Sequence, residues 1–281
     1  MAISLLTNTT SLQAQANLNK TQSSLSSSIS RLSSGMRINS AADDAAGLGI
    51  SSNLTADISS LGQAQRNTND GVSMSQVAEG GMSSMTDIVT RMRELAVESS
   101  NGTLGNTERG YIQTEFGQLS SEINRISAVT SFNGQNLLDG SASAGLTMQV
   151  GINNTANDRL AMSITKLTTS TLGAAGLHLA SVTLSTAAGA QAAISSFDAA
   201  ITQLSTARAK IGAVQNRLQV TSNNLSTTTT NLSAANSRIT DTDIASETSK
   251  MSQANILAQA GVSVLSQANS IPQAALQLLR G

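Results

Sequence analysis

The chain has 281 residues and a formal net charge of -1, enough length for one or two domains and no global basic field for nucleic acid or anionic lipid. Aromatic residues are 1% of the chain, which disfavours the thick core and lined pocket of a globular enzyme and suits thin helical bundles of Leu, Ile, Val, Met and Ala. Cysteine is absent, which excludes disulfides, thiol nucleophiles and Cys-based metal sites.

Taken in chain order, the N-terminal stretch MAISLLTNTT lacks the basic and long apolar regions of a secretory signal peptide. Both a cytosolic protein and one exported by a route that reads no cleavable signal therefore stay open. No apolar run reaches the ~18 residues that read as a membrane span. Within residues 1–40, Leu18, Leu25 and Leu32 recur every seven residues, with Gln22, Ile29 and Met36 on the adjoining row. This heptad predicts a helix that wraps a partner. The surrounding Ser, Asn and Thr are mediocre helix formers, so this helix depends on docking. Ser40 or Asp43 is the expected cap of the next helix, which runs through the NLTADISSLGQAQRNTND stretch. A further row follows Gly80–Gly81, at Met85, Ile88, Met92 and Leu95. Asn101-Gly102 marks a turn, and Ile112, Phe116, Leu119, Ile123 and Ile126 form the next heptad.

The period then changes. Asn133-Gly134 and Asp139-Gly140 are turn dipeptides, and Leu146, Met148, Val150 and Leu160, Met162, Ile164 alternate on either side of a loop, which predicts a β-hairpin. Residues 167–190 are rich in Thr, Ser, Ala and Gly and carry the least pattern. From about Gln191 the heptad resumes at Leu204, Ile211, Leu218, Leu225, Leu232 and Ile239. A helix over that stretch is about 75 Å long at the α-helical rise. After Glu247 the tail is amphipathic and almost uncharged, weakened as a helix by Gly261 and Pro272. The fold class expected is mainly α: an elongated antiparallel helical bundle or coiled coil formed by the N- and C-terminal arms, with a small β-hairpin region.

Catalytic and metal chemistry finds little purchase. His178 is the only histidine, no HExxH motif is present, and an ordinary surface or loop position is its expected role. Asp241, Asp243 and Glu247 begin like a calcium loop, but Ala245 and Ser246 fill the next oxygen and glycine positions, so a cap between helices is expected. Gly47 and Gly49 lack the strand and third glycine of a nucleotide site. Arg91, Arg93 and Glu94 read as the solvated face opposite the Ile88, Met92 and Leu95 stripe. No catalytic residue, cofactor or metal is expected.

Several stretches together are more specific. LSSSISRLSSGMRINSAADDAAGLGIS, TRMRELAVESSNGT at 90–103, SFNGQNLLDG at 131–140 and the tail SRITDTDIASETSKMSQANILAQAGVSVLSQANSIPQAALQLLR resemble bacterial flagellins, in order and at both ends. The resemblance covers roughly residues 1–165 and 190–280. It implies a structural subunit that polymerises into the flagellar filament for motility. The terminal arms (1–40 and 248–281) form the inner filament domain and fold on assembly. Helices in 41–130 and 191–247 and a hairpin part in 131–166 form a rod domain, and 167–190 is a short variable centre in place of large outer domains. The alternative is a hook–filament junction protein, against which the QAN-x-x-PQ tail and the RELAV run weigh.

The same resemblance implies extracellular location in the flagellum, type III export without a cleavable signal, and self-association as a helical homopolymer. An export chaperone, filament cap and junction proteins are the implied bacterial partners. It further implies host innate receptors: a Toll-like receptor site at Arg91, Leu95 and Glu115, and a cytosolic-sensor site at Leu276, Leu278 and Leu279. Thr90 and Met92 depart from the family's commonest residues, and Gly281 extends the tail beyond Arg280.

Overall fold

The computed structural model describes residues 7–174 and 177–280, with side chains up to residue 271. The described chain is mainly α. Its helices are α1 (Thr9–Ser34), α2 (Ala45–Ser99), α3 (Asn106–Val129), α4 (Ala187–Thr240) and α5 (Ile244–Arg280). Three antiparallel strand pairs lie between α3 and α4: β1 (Ser131–Phe132) with β2 (Gln135–Asn136), β3 (Leu146–Gln149) with β4 (Arg159–Met162), and β5 (Gly173–Ala174) with β6 (Leu177–His178). The contacts divide into two compact units, residues 57–230 and residues 1–56 with 231–281.

In the 57–230 unit, α2 and α4 run antiparallel, held by Gln65 on Ser222, Arg208 on Glu79 and Arg93 on Asp198. Their facing stripes are apolar and small. Met74, Ala78, Met82, Met85, Val89, Met92 and Ala96 come from α2, and Ala193, Phe197, Ala200, Leu204 and Ile211 from α4, all buried. The α2 stripe passes through Val89 at its centre, while Ile88 sits half-buried beside it. With so few aromatics, thioethers fill the seam, since an unbranched Met adapts to irregular gaps. Phe116 of α3 meets Phe197 edge to face with ring centroids 6.0 Å apart, the arrangement aromatic quadrupoles favour.

The Gly80–Gly81 pair does not interrupt α2. A Cβ at Gly81 would lie 2.8 Å from Thr130 Oγ1 and 2.9 Å from Leu138 Cδ1. Gly81 is where the segment after α3 comes up against the helix.

The α2–α3 corner is closed by a buried cation. Arg109 Nε donates to Ser99 O and its Nη2 to Asn101 O, both at 2.9 Å, supplying a donor to a carbonyl that the end of α2 leaves unpaired and tying the following loop to the same side chain. Ser99 Oγ in turn donates to Leu184 O, and Leu184 N donates to Gln113 Oε1 at 2.6 Å.

The expected hairpin forms from β3 and β4, with Leu146 opposite Met162 and Met148 opposite Leu160. Asn133-Gly134 makes the two-residue turn of β1 and β2, with φ of 50° and 77°, the left-handed pair that such a turn requires. Residues 167–190, read from sequence as the least patterned part, instead contribute Leu167, Leu172, Leu179, Val182 and Leu184 to the main core. Their spacing is irregular because they follow turns, two-residue strands and a single 3-10 turn at Leu179–Ser181, not an α-helix. The following helix accordingly starts earlier than the heptad suggested, at Ala187.

In the other unit, α1 packs against α5 in antiparallel order: Asn8 Nδ2 donates to Ala268 O, Ser11 Oγ to Asn269 Oδ1, and Ser28 Oγ to Glu247 Oε1. Asn8 caps α1 by accepting from Ser11 N, and Gly35, at φ 71°, ends the helix in the left-handed conformation. The two connections are clipped together: Arg37 N donates to Thr240 O at 2.6 Å and Thr242 N to Gly35 O at 3.0 Å. The cap of α2 is neither Ser40 nor Asp43 but Asp44, whose Oδ1 accepts from Gly47 N at 2.8 Å. Asp43 folds back instead, accepting from Asn39 N and Ser40 N to close the preceding turn. Asp243 caps α5 through Ala245 N and Ser246 N. No cluster of metal-ligating side chains exists among the described residues, nor is any described helix long and apolar enough to cross a membrane.

Candidate assembly and recognition surfaces

The heptad residues fall into two groups. Leu204, Ile211, Leu218 and Leu225 are buried in the core of their own unit, so they build the subunit and are not a surface offered to other copies. Leu25 is buried between α1 and α5, whereas Leu18, Leu32, Leu232 and Ile239 are half-buried.

The α1–α5 pair hides only a narrow seam. Leu25, Ser28, Ala254 and Ala268 are buried, and small residues allow the close approach: a Cβ on Gly261 would stand 3.2 Å from Leu18 Cδ1. Outside that seam, apolar side chains face solvent. Leu12 is 57% exposed, Ile256 67%, Val262 58% and Val264 57%, with Ile29, Leu257 and Ile271 also exposed. An amphipathic helix normally buries one apolar stripe. These two helices carry more apolar surface than each can cover for the other, which marks an interaction surface.

Among the described residues, one buried charge lies inside the seam. Glu247 is buried, its carboxylate accepting from Ser28 Oγ at 2.7 Å and from Lys250 Nζ at 3.1 Å. The Ser28 hydroxyl holds its pKa below the ordinary value of 4.5, with Lys250 and Arg31 adding to the effect against burial. Arg31 also faces Asp43, at 3.6 Å.

A second surface lies where α2 and α3 run side by side. Arg91 Nε donates to Glu115 Oε1 at 2.9 Å and its Nη1 to Glu94 Oε2 at 3.2 Å. All three side chains are well exposed, so the net energy of these pairs is small and their worth is to orient the guanidinium. Of the residues expected at a receptor site, Arg91 and Glu115 are thus brought into contact. Leu95 is placed differently: it is 1% exposed and belongs to the core, because position 95 falls on the α2 stripe that meets α3 and α4. It supports the face from beneath and offers no contact of its own. Exposed apolar groups that the motif did not single out are Val97 on α2 and Tyr111, 72% exposed, on α3. Their helical spacing from Arg91 and Glu115 was legible, but not their exposure. Leu276, Leu278 and Leu279 lie outside the described side chains, and His178 is exposed in β6.

Comparison with known proteins agrees with this architecture. Residues 5–143 match the family model of the bacterial flagellin N-terminal helical region, and residues 194–279 match that of the bacterial flagellin C-terminal helical region. A flagellin of Halalkalibacterium halodurans is 42% identical, over 94% of this chain and 93% of its own. One from Serratia marcescens is 40% identical with full coverage of both chains, 100% and 100%. Among solved structures, a putative flagellar hook-associated protein from Vibrio parahaemolyticus superposes with a TM-score of 0.59, covering 71% of this chain and 100% of that one. At 16% identity that likeness concerns the fold alone, whereas the flagellin family models and flagellin relatives do not favour the junction-protein alternative. With paired terminal helices, unsatisfied apolar faces and relatives similar along its whole length, the chain belongs to the bacterial flagellin family and is a structural subunit of the flagellar filament.

Proposed function

We propose that the terminal arms complete their folding only as the subunit enters the filament, with the faces of α1 and α5 covered by neighbouring copies. The observation that supports this most is the row of exposed apolar residues on both helices, Leu12, Ile256, Val262 and Val264 among them. Ordering Ser- and Asn-rich helices costs conformational entropy, and burial of those faces offsets it. The contacts must be heterologous, because only non-closing contacts extend an open polymer. Export as an unfolded chain by the type III route, with an export chaperone, a filament cap and junction proteins as partners, belongs to the same reading. The arms then span residues 1–40 and 248–281, with the variable centre at 167–190.

The test is seeded growth. Ile256→Asp places a charge on the most exposed large apolar side chain of α5 among the described residues, without touching the α1 seam. The subunit should remain soluble with the helices of residues 57–230 intact, while elongation from filament seeds, followed by electron microscopy, is lost. Elongation at the normal rate would overturn the covered-face reading.

A recognition role follows from the second surface. The Arg91–Glu115 pair is the proposed contact for a Toll-like receptor, with Leu95 acting by seating α2, and Leu276, Leu278 and Leu279 are the proposed contacts for cytosolic sensors. Arg91→Ala should reduce receptor-reporter signalling by free monomer by about tenfold, the effect of losing one charge-assisted contact. An unchanged dose–response would remove Arg91 from the site.

A further inference from the structure

The loop joining α2 to α3 carries an arrangement that is part of neither the exposed faces of α1 and α5 nor the Arg91–Glu115 pair. The chain has two Asn-Gly pairs, Asn101-Gly102 and Asn133-Gly134, and their surroundings differ in every respect that matters for attack of a backbone nitrogen on the asparagine amide. At the first, Asn101 Oδ1 accepts the N–H of Thr103 at 3.2 Å. That contact folds the side chain forward over Gly102 and draws electron density from the amide carbonyl. The carbonyl oxygen of the peptide that joins Asn101 to Gly102 accepts from Arg109 Nη2 at 2.9 Å and from Leu104 N at 3.3 Å. A guanidinium on that oxygen favours the deprotonated form of the same peptide, so the Gly102 nitrogen is the more readily made a nucleophile. The Gly102 N–H makes no hydrogen bond among the described residues, and a Cβ there would meet nothing within 4 Å. At the second pair, Asn133 and Gly134 are fixed at φ 50° and 77° between the paired residues Phe132 and Gln135, with no cation on the peptide.

We propose that Asn101 is a self-modifying residue, converted through a cyclic imide with Gly102 to aspartate and isoaspartate. The Gly102 nitrogen gives its proton to solvent and forms a bond to Asn101 Cγ. The Cγ–Nδ2 bond breaks, and the amide nitrogen leaves as ammonia after taking a proton from water. Water then adds to either imide carbonyl. Opening at Cγ gives aspartate, and opening at the backbone carbonyl gives isoaspartate, so the sum is asparagine plus water to acid plus ammonia. Isoaspartate adds a methylene to the main chain, which then runs through Cγ, and leaves the former residue 101 carbonyl as a free carboxylate facing Arg109. The guanidinium keeps Ser99 O and holds a carboxylate where it held the loop's peptide. The loop main chain at the corner nearest the Arg91–Glu115 face thereby changes course with the age of the molecule, while the fold elsewhere stays as it was made.

The experiment incubates the purified full-length chain at neutral and mildly alkaline pH over weeks. Peptide mapping by mass spectrometry and an isoaspartyl methyltransferase assay then quantify both asparagines. Asn101 should convert about fivefold faster than Asn133, the rate equivalent of about one net hydrogen bond. Because the acceleration comes from the folded corner, it should vanish in urea, where both sites should convert alike. Gly102→Ala, substituted into open space, should fold normally and slow conversion at residue 101 alone. Faster conversion of Asn101 in urea than in the folded chain, or equal rates at the two sites in the folded chain, would overturn the proposal.

Discussion

Glu247 carries the most charge-sensitive contact in the α1–α5 seam. Its folded-state pKa lies below that of the free carboxyl, chiefly because the Ser28 hydroxyl donates to the charged form. A group with a depressed folded pKa contributes stability at pH values above its unfolded pKa, and that contribution disappears as pH falls through the folded pKa. Heat-induced loss of filament helicity, followed by circular dichroism, should therefore occur at progressively lower temperature as the pH falls below 4.5. In Glu247→Gln the acid-dependent drop should be smaller, since glutamine still accepts from Ser28 but does not titrate. The two proteins should differ at neutral pH and converge in acid. Asp43, Glu122 and Asp139, the last held at about 2 by Ser141 and Asn136, also have depressed values, but they are common to both proteins and cancel in the comparison. Parallel curves at all pH values would show that Glu247 is not the titrating contact. In the sequence, Asp241, Asp243 and Glu247 together read as a break or cap between helices. That role belongs to Asp243, and the partner that buries Glu247, Ser28, is 219 residues away, a distance no local pattern encodes.

At the scale of elements, α2 is held along its length by what the rest of the chain places against it. Gly81→Ala puts a methyl group against Thr130 and Leu138, and the tight approach should cost about 1–3 kcal/mol despite the better helix propensity of alanine. Gly80→Ala, in open space, should instead be neutral or stabilising. Chemical unfolding of the two variants side by side measures the difference, and equal stabilities would show that Gly81 is not a packing site. This contrast also shows what the sequence made legible. The seven-residue and alternating rows predicted α1, α3, α4 and the β3–β4 hairpin, because a helix or hairpin with one buried face repeats at its own period. The rows did not reveal that Gly81 admits the segment after α3. Nor did they show that Leu172 and Leu184 reach the core, since short turns between them leave no period to read. Leu95 illustrates the same limit at the candidate receptor face: the motif identified the residue, and only tertiary packing decided that its side chain points inward.

For the whole molecule, function rests on an asymmetry between the two units. In residues 57–230 the apolar stripes of α2, α3 and α4 close on one another around Phe116, Phe197 and the buried methionines. In the unit formed by the chain ends, α1 and α5 close only a seam and leave Leu12, Ile29, Ile256, Val262 and Val264 outward. The first is a completed core and the second is half of one, and the proposal is that other subunits supply the missing half. The central claim is that this half-core drives polymerisation. Its most direct test compares full-length protein with versions lacking residues 1–40 or 248–281 in seeded elongation, imaged by electron microscopy. The full chain should extend the seeds, while each truncated protein should stay soluble, retain the helices of residues 57–230, and add nothing. Normal filaments from either truncated protein would contradict the account.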